Sequence, residues 1–200
     1  MISGALLYTF SAIFVSYLSF ETSVSPFNGS TWMALFWIIF VFSATNFITR
    51  SFQNEEGRAK IYYFQISSPT DIILAKNLYN SLVLFCLSFL TWGFYSLVFG
   101  SPILLNSLFF LTLFVASISF SSSLTLISAI SSKGRNQSTL MVVLGFPIVV
   151  PQILLLIKCT EFAFLSSGWE NVWPSMWTLL AIDAILISLS YLLFPYLWRS

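Results

Sequence analysis

Asp183 is the residue on which buried acid chemistry would turn, because it is the one carboxylate inside an apolar run, "WTLLAIDAILISLSYLLF". If that run crosses a bilayer, the carboxylate lies about 9 Å below Trp177 at 1.5 Å per residue, too deep for so short a side chain to reach water. An ionised Asp at the centre of a membrane helix costs about 2.5 to 3.5 kcal/mol, so Asp183 is expected to face the interior of a bundle and to hold a partner or a proton. Three readings stay open. Lys158, at the end of "STLMVVLGFPIVVPQILLLIK", could meet it directly or through water; a neutral carboxyl could bond to serine hydroxyls or backbone; or the group could serve a proton or a cargo.

Much other chemistry is excluded by what the chain omits. There is no histidine, so His-ligated haem, a His-containing zinc site and Ser-His or Cys-His catalytic pairs cannot be built from this chain alone. Cys86 and Cys159 lie far apart and form no C-x-x-C, and they read as two buried apolar thiols. No G-x-x-x-x-G-K-[ST] occurs, and "SSKGRNQS" lacks its glycine spacing. Any ATP hydrolysis therefore belongs to a partner. The chain is not expected to be an enzyme, nor to hold a metal or a cofactor of its own, and no nucleic acid partner is expected.

Three further patterns are candidates. Trp169, Trp173 and Trp177 in "GWENVWPSMW" stand four residues apart, so a helix would line their rings along one flank as an aromatic shelf fit to cradle a porphyrin. Tryptophan is also enriched in interfacial belts, and Pro174 is expected to break the run. Serines at 117, 119, 121, 122, 123, 128, 131 and 132 place small residues at i and i+4, which favours close helix packing over a polar transport path. Pro147 and Pro151, with Gly145, predict a kink by removing two backbone donors and freeing the carbonyls of Val143 and Pro147; a gating hinge is the further reading.

The segment "NEEGRAKIYYFQISSP", residues 54–69, is a polar island in an otherwise apolar chain. It offers Glu55, Glu56, Arg58 and Lys60, then the aromatic patch Tyr62, Tyr63 and Phe64. Ser68 or Thr70 is suited to cap a following helix, Pro69 to its first turn and Asp71 to its positive end. A short amphipathic element against the membrane is the simplest local structure, either to dock another protein or merely to orient the loop.

The elements that must position these residues follow from composition. With 58% hydrophobic and 8% charged residues and a mean hydropathy of +0.90, apolar stretches recur along the whole length and leave no soluble domain. A helix needs about 20 apolar residues to cross a hydrocarbon core of about 30 Å. Six segments qualify, residues 2–20, 32–48, 78–99, 104–130, 140–157 and 176–197, joined into one transmembrane domain over residues 1–200. The expected fold is all-α, a polytopic six-helix membrane bundle, with 50–77 as its long loop. Six spans place both termini on one side, together with Arg50, Arg58, Lys60, Lys76, Lys133, Arg135 and Arg199, leaving Lys158 on the other. By the positive-inside rule the richer side is cytoplasmic, while Glu21, Glu161 and Glu170 fall outside.

The order of acidic pair, glycine, aromatic patch, "SSP" and a helix with "IILAKNLYNSL" resembles the cytoplasmic loop of the six-span permeases of ABC-2 type exporters. More closely it resembles the CcmB family, the permease-like subunits of cytochrome c maturation often called haem exporter protein B, in their Bacteroidetes-type form. "GALLYTFSAIFVSYLSF", "ALFWIIFVFSATNFITRSF", "STLMVVLGFPIVVPQILLLIK" and "LSYLLFPYLWR" extend the resemblance over essentially the whole chain, with P-x-x-x-P at Pro147 and Pro151 its most specific element. Family members begin with a basic cytoplasmic segment, so a shortened start is expected here, and the spacing from Gly57 to Pro69 is longer than in the general ABC-2 pattern.

The resemblance implies an ABC-2 type permease-like bundle in the bacterial inner membrane. It would dock a separate CcmA-type ATPase through the island and act with CcmC- and CcmD-like subunits to deliver haem, or to release a haem-loaded chaperone, in the periplasm. Haem would then be cargo of the complex; the Trp-rich haem motif of that system belongs to the CcmC subunit and is not reproduced here. A non-transporting scaffold of a haem-delivery complex, or an exporter permease for another cargo, is the alternative.

Overall fold

The computed structural model describes residues 2–21, 28–53, 68–100, 107–132, 134, 136–164 and 169–199. They form six helices: α1 (Ile2–Glu21), α2 (Gly29–Gln53), α3 (Pro69–Phe99), α4 (Ser107–Ser131), α5 (Gln137–Phe164) and α6 (Trp169–Arg199). Each contains a stretch long and apolar enough to span a bilayer. The chain is a multi-pass membrane protein, an all-α bundle of six helices, as its hydropathy pattern predicts.

The helices outrun the apolar segments that announce them. Hydropathy marks only the part of a helix that crosses hydrocarbon, whereas the backbone ladder continues to the first cap or breaker. Thus α3 begins at Pro69, well before Leu78, because Ser68 caps it: its backbone is extended and its hydroxyl accepts from the Asp71 N–H at 3.3 Å. Pro69 fills the first turn and Asp71 stands in the positive first turn. At the far end Gly100, with φ +75°, caps the helix in a conformation that disfavours side chains. The loop expected over 50–77 is therefore helical at both borders, through Gln53 and again from Pro69. Glu55, Glu56, Arg58, Lys60, Tyr62 and Tyr63 lie outside the described residues.

The centre of the bundle is α4, which packs against α2, α3, α5 and α6. Its span is 78% buried, against 61% for that of α2 and no more than 28% for the other four. Small side chains make this possible: Ala116, Ser117, Ser119, Ser121, Ser122 and Ser123 are all buried and let neighbouring backbones approach. Several of the hydroxyls along α4 are satisfied within the helix itself, as in Ser117 to the Leu113 carbonyl at 2.7 Å and Thr112 to the Leu108 carbonyl at 2.8 Å.

Toward the end of the bundle where α2 and α4 begin, an aromatic cluster replaces the serines. Phe36 is buried among Trp32, Trp37, Phe40, Tyr95 and Phe109, with centroid separations from 5.2 to 6.5 Å. The polar tips of these rings are occupied: Trp32 Nε1 donates to the Gly100 carbonyl at 3.1 Å, Tyr95 Oη to the Trp32 carbonyl at 3.2 Å, and Trp37 Nε1 to Thr160 Oγ1 at 2.9 Å. On the opposite flank α1 leans on α2 through Thr9 and Ser43, whose hydroxyls lie 2.6 Å apart. The outward faces carry Leu7, Leu97, Val142, Phe146 and Tyr196, an apolar surface suited to lipid.

Candidate functional site

Polar side chains from three helices meet at the middle of the bundle. Asp183 is the middle residue of the span Glu170–Tyr196 in α6, Ser119 is the middle residue of Ser107–Ser131 in α4, and Gln152 stands at the middle of Thr139–Phe164 in α5. Asp183 is 3% exposed, and Ser119 and Gln152 are fully buried. Ser122 Oγ lies 3.4 Å from Asp183 Oδ1, a long hydrogen bond, while the same hydroxyl back-bonds to the Ser119 carbonyl at 2.9 Å. Ser123 Oγ reaches Gln152 Oε1 at 2.9 Å and the Ser119 carbonyl at 2.6 Å, and Gln152 Nε2 approaches that carbonyl at 3.4 Å. The Ser119 carbonyl is thus a hub joining α4 to α5.

The network continues toward α3. Asn80 Nδ2 donates to Thr125 Oγ1 at 3.0 Å, and Ser121 Oγ lies 2.7 Å from Asn77 Oδ1. Several acceptors and hydroxyls nevertheless stay unfilled in the buried interior: Asp183 Oδ2, Ser119 Oγ, Ser128 Oγ and Asn80 Oδ1. The Ser119 hydroxyl stands beside the Asp183 carboxylate without completing a hydrogen bond to it. Such orphaned groups are rare in folded interiors. Among the described residues no three Cys, Asp or Glu side chains come together as metal ligands.

Of the two kinds of side-chain partner expected for Asp183, a serine hydroxyl is the one beside it. Lys158 is exposed on α5 and makes no ion pair with it among the described residues. The reason is register: Lys158 shares an exposed stripe of α5 with Pro147, Pro151 and Leu154, at helical spacing, while Gln152 occupies the inward face. Both prolines therefore point away from the polar cluster, within a helix that runs unbroken from Gln137 to Phe164.

The helix α6 also runs through Pro174 rather than breaking there. The helix continues there without the bond that Pro174 cannot donate to the Glu170 carbonyl. Trp173 and Trp177 stand side by side on the exposed flank, centroids 6.3 Å apart, while the side chain of Trp169 lies outside the described residues. Cys159 is buried but Cys86 is exposed, contrary to the expectation of two buried thiols, because no described helix covers that face of α3; both are free.

Asn80 and Gln152 are participants that the sequence reading passed over. The signal was available: a lone amide within an apolar run, as in "IVVPQILLLIK", is the membrane equivalent of a charge in a core. Comparison of the chain with protein-family models, with curated proteins and with solved structures finds no match to any of them.

Proposed function

We propose that the chain is the permease-like membrane subunit of an ABC-type complex for cytochrome c maturation, in the bacterial inner membrane with both termini cytoplasmic. It works with a separate CcmA-type ATPase and with CcmC- and CcmD-like subunits. Its task is to turn nucleotide-driven closure of the ATPase into helix movement that delivers haem, or releases the haem-loaded chaperone, on the periplasmic side. The sequence resemblance supports the family, and the excess of Lys and Arg on one side supports the orientation.

The observation that carries the coupling is continuity at the polar island. α2 stays helical to Gln53 and α3 starts at Pro69, so the island is tied at both borders to stiff elements. The 31 residues of α3 make a rod about 46 Å long, longer than a hydrocarbon core of about 30 Å. A displacement of the island is delivered along that rod without slack to Asn77 and Asn80, which are bonded to α4.

The test is coexpression with a CcmA-type ATPase. Reversing the charge of Glu55 and Glu56 and changing Tyr62→Ala and Tyr63→Ala should abolish copurification while leaving the melting profile of the membrane subunit unchanged. Undiminished copurification after all four changes overturns the docking role.

A further inference from the structure

The mid-membrane cluster leaves two complementary atoms unused, and one particle satisfies both. Asp183 Oδ1 is approached by Ser122, but Asp183 Oδ2 and Ser119 Oγ have no hydrogen-bond partner, although the two residues are neighbours. A carboxylate only accepts, whereas a protonated carboxyl donates as well. In the structure Ser119 Oγ bonds neither the carboxyl nor the carbonyl one turn earlier, so a turn of this side chain accompanies a proton on Oδ2: the carboxyl then donates to Ser119 Oγ, and the Ser119 O–H bonds that carbonyl as those of Ser117 and Ser123 do. We propose that Asp183, Ser119 and Ser122 form a proton-holding site at the middle of the membrane, in which a proton shared between Asp183 and Ser119 locks α6 onto α4.

A metal cation fits the same place poorly. Broken helices that free backbone carbonyls are the usual source of ligands at this depth. Here α4 and α6 are continuous, and the nearby Ser119 carbonyl already takes three donors. The site would offer only the carboxylate and two hydroxyls.

Nor does another charge of this chain answer Asp183 among the described residues. α4 carries no ionisable side chain over Ser107–Ser131. On α5 the ionisable groups, Lys158, Cys159 and Glu161, lie a turn and a half or more beyond Gln152, with Lys158 and Glu161 exposed. On α3, Asp71 and Lys76 belong to the first two turns, Tyr79 and Cys86 are exposed, and Tyr95 sits in the aromatic cluster. Release of the proton therefore leaves a charge in the bundle interior that, among the described residues, only the Ser119 and Ser122 hydroxyls can answer, and water entering between α4 and α6 relieves it further. Proton loss and separation of these helices become one event, whatever drives them.

The experiment uses the full chain alone in phosphatidylcholine nanodiscs, so it is independent of the ATPase reading. The chain has two aspartates, Asp71 and Asp183, and Asp71 is exposed at the start of α3. Aspartate isotope-labelled at the side-chain carboxyl carbon reports on these two groups by infrared difference spectroscopy. At neutral pH one of the two should show the carbonyl stretch of a carboxylic acid, which moves in heavy water and disappears in Asp183→Asn. In Ser119→Ala the band should shift to higher frequency, because its hydrogen-bond acceptor is gone. Two carboxylate bands in the wild type, or an acid band indifferent to Ser119→Ala, overturn the proposal. The wild-type spectrum decides even if Asp183→Asn fails to fold.

Discussion

Truncating Phe36 to alanine measures what holds such a bundle together. The side chain is fully buried and touches five aromatic rings, of Trp32, Trp37, Phe40, Tyr95 and Phe109. In a water-soluble protein the change costs about 3–5 kcal/mol, part of it the transfer of apolar surface to water. In a bilayer that part vanishes, because helices that come apart still keep the side chain in hydrocarbon. What remains is the cavity, and roughly 100 Å³ of vacated ring volume at about 24 cal/mol per Å³ comes to about 2.4 kcal/mol. Lost ring-edge contacts, each about 0.5–1.5 kcal/mol, and partial collapse of the neighbours act in opposite directions, so the expected loss is about 2–3 kcal/mol. The assay is unfolding from mixed micelles by added dodecyl sulfate, followed by tryptophan fluorescence, for which Trp32 and Trp37 stand beside the change. Phe146→Ala, at a side chain 71% exposed, is the control and should stay within about 0.5 kcal/mol of wild type. Equal losses for the two variants would refute the reasoning, as would a loss below about 0.5 kcal/mol for Phe36→Ala.

Other perturbations separate cap, hinge and charge. Ser68→Ala removes the α3 cap and should cost about 0.5–2 kcal/mol, with faster hydrogen exchange at the amide of Asp71. Pro147→Ala with Pro151→Ala restores two backbone donors on the lipid side; the variant should reach the membrane at normal levels, yet fail to support cytochrome c maturation under the proposed function. Normal maturation would reduce both prolines to packing. Lys158→Met should change stability by less than about 0.5 kcal/mol, since the ammonium is exposed and has no bond to Asp183 to lose; a larger drop in the same unfolding titration would restore the ion pair.

Spans, caps and the inward orientation of Asp183 were legible because each follows from local chemistry. Hydrophobic run length marks a crossing, Ser-Pro-Thr-Asp marks a helix start, and a lone carboxylate in hydrocarbon must face protein. The partner of Asp183 was less so. Lys158 was attractive by charge and proximity in sequence, but two residues on successive helices meet only if their faces match. That register is set by which stripe of α5 the prolines and Leu154 give to lipid. The end of α2 was also hidden, since hydropathy falls silent where a helix leaves the bilayer while its hydrogen bonds continue. The role of Gln152 depends on the Ser119 carbonyl being within reach across two helices, and no single-helix pattern encodes that distance.

The back-bonded serines of α4 bear on how the protein is made. The most buried helix of the bundle is also its most hydroxylated, and during synthesis it must enter the membrane before all its neighbours are in place. A serine whose hydroxyl already binds the carbonyl three or four residues earlier presents little unsatisfied polarity to lipid. Thr112, Ser117, Ser122, Ser123 and Ser131 thus enter hydrocarbon with their hydrogen bonds made, and the helix can wait there for its partners. Ser121 and Thr125, whose partners Asn77 and Asn80 stand on α3, and the Asp183 that arrives later with α6 are settled only by assembly, and Ser119 and Ser128 remain unpaired after it. Insertion and association therefore draw on different side chains of the same helix, and a defect in one should leave the other intact.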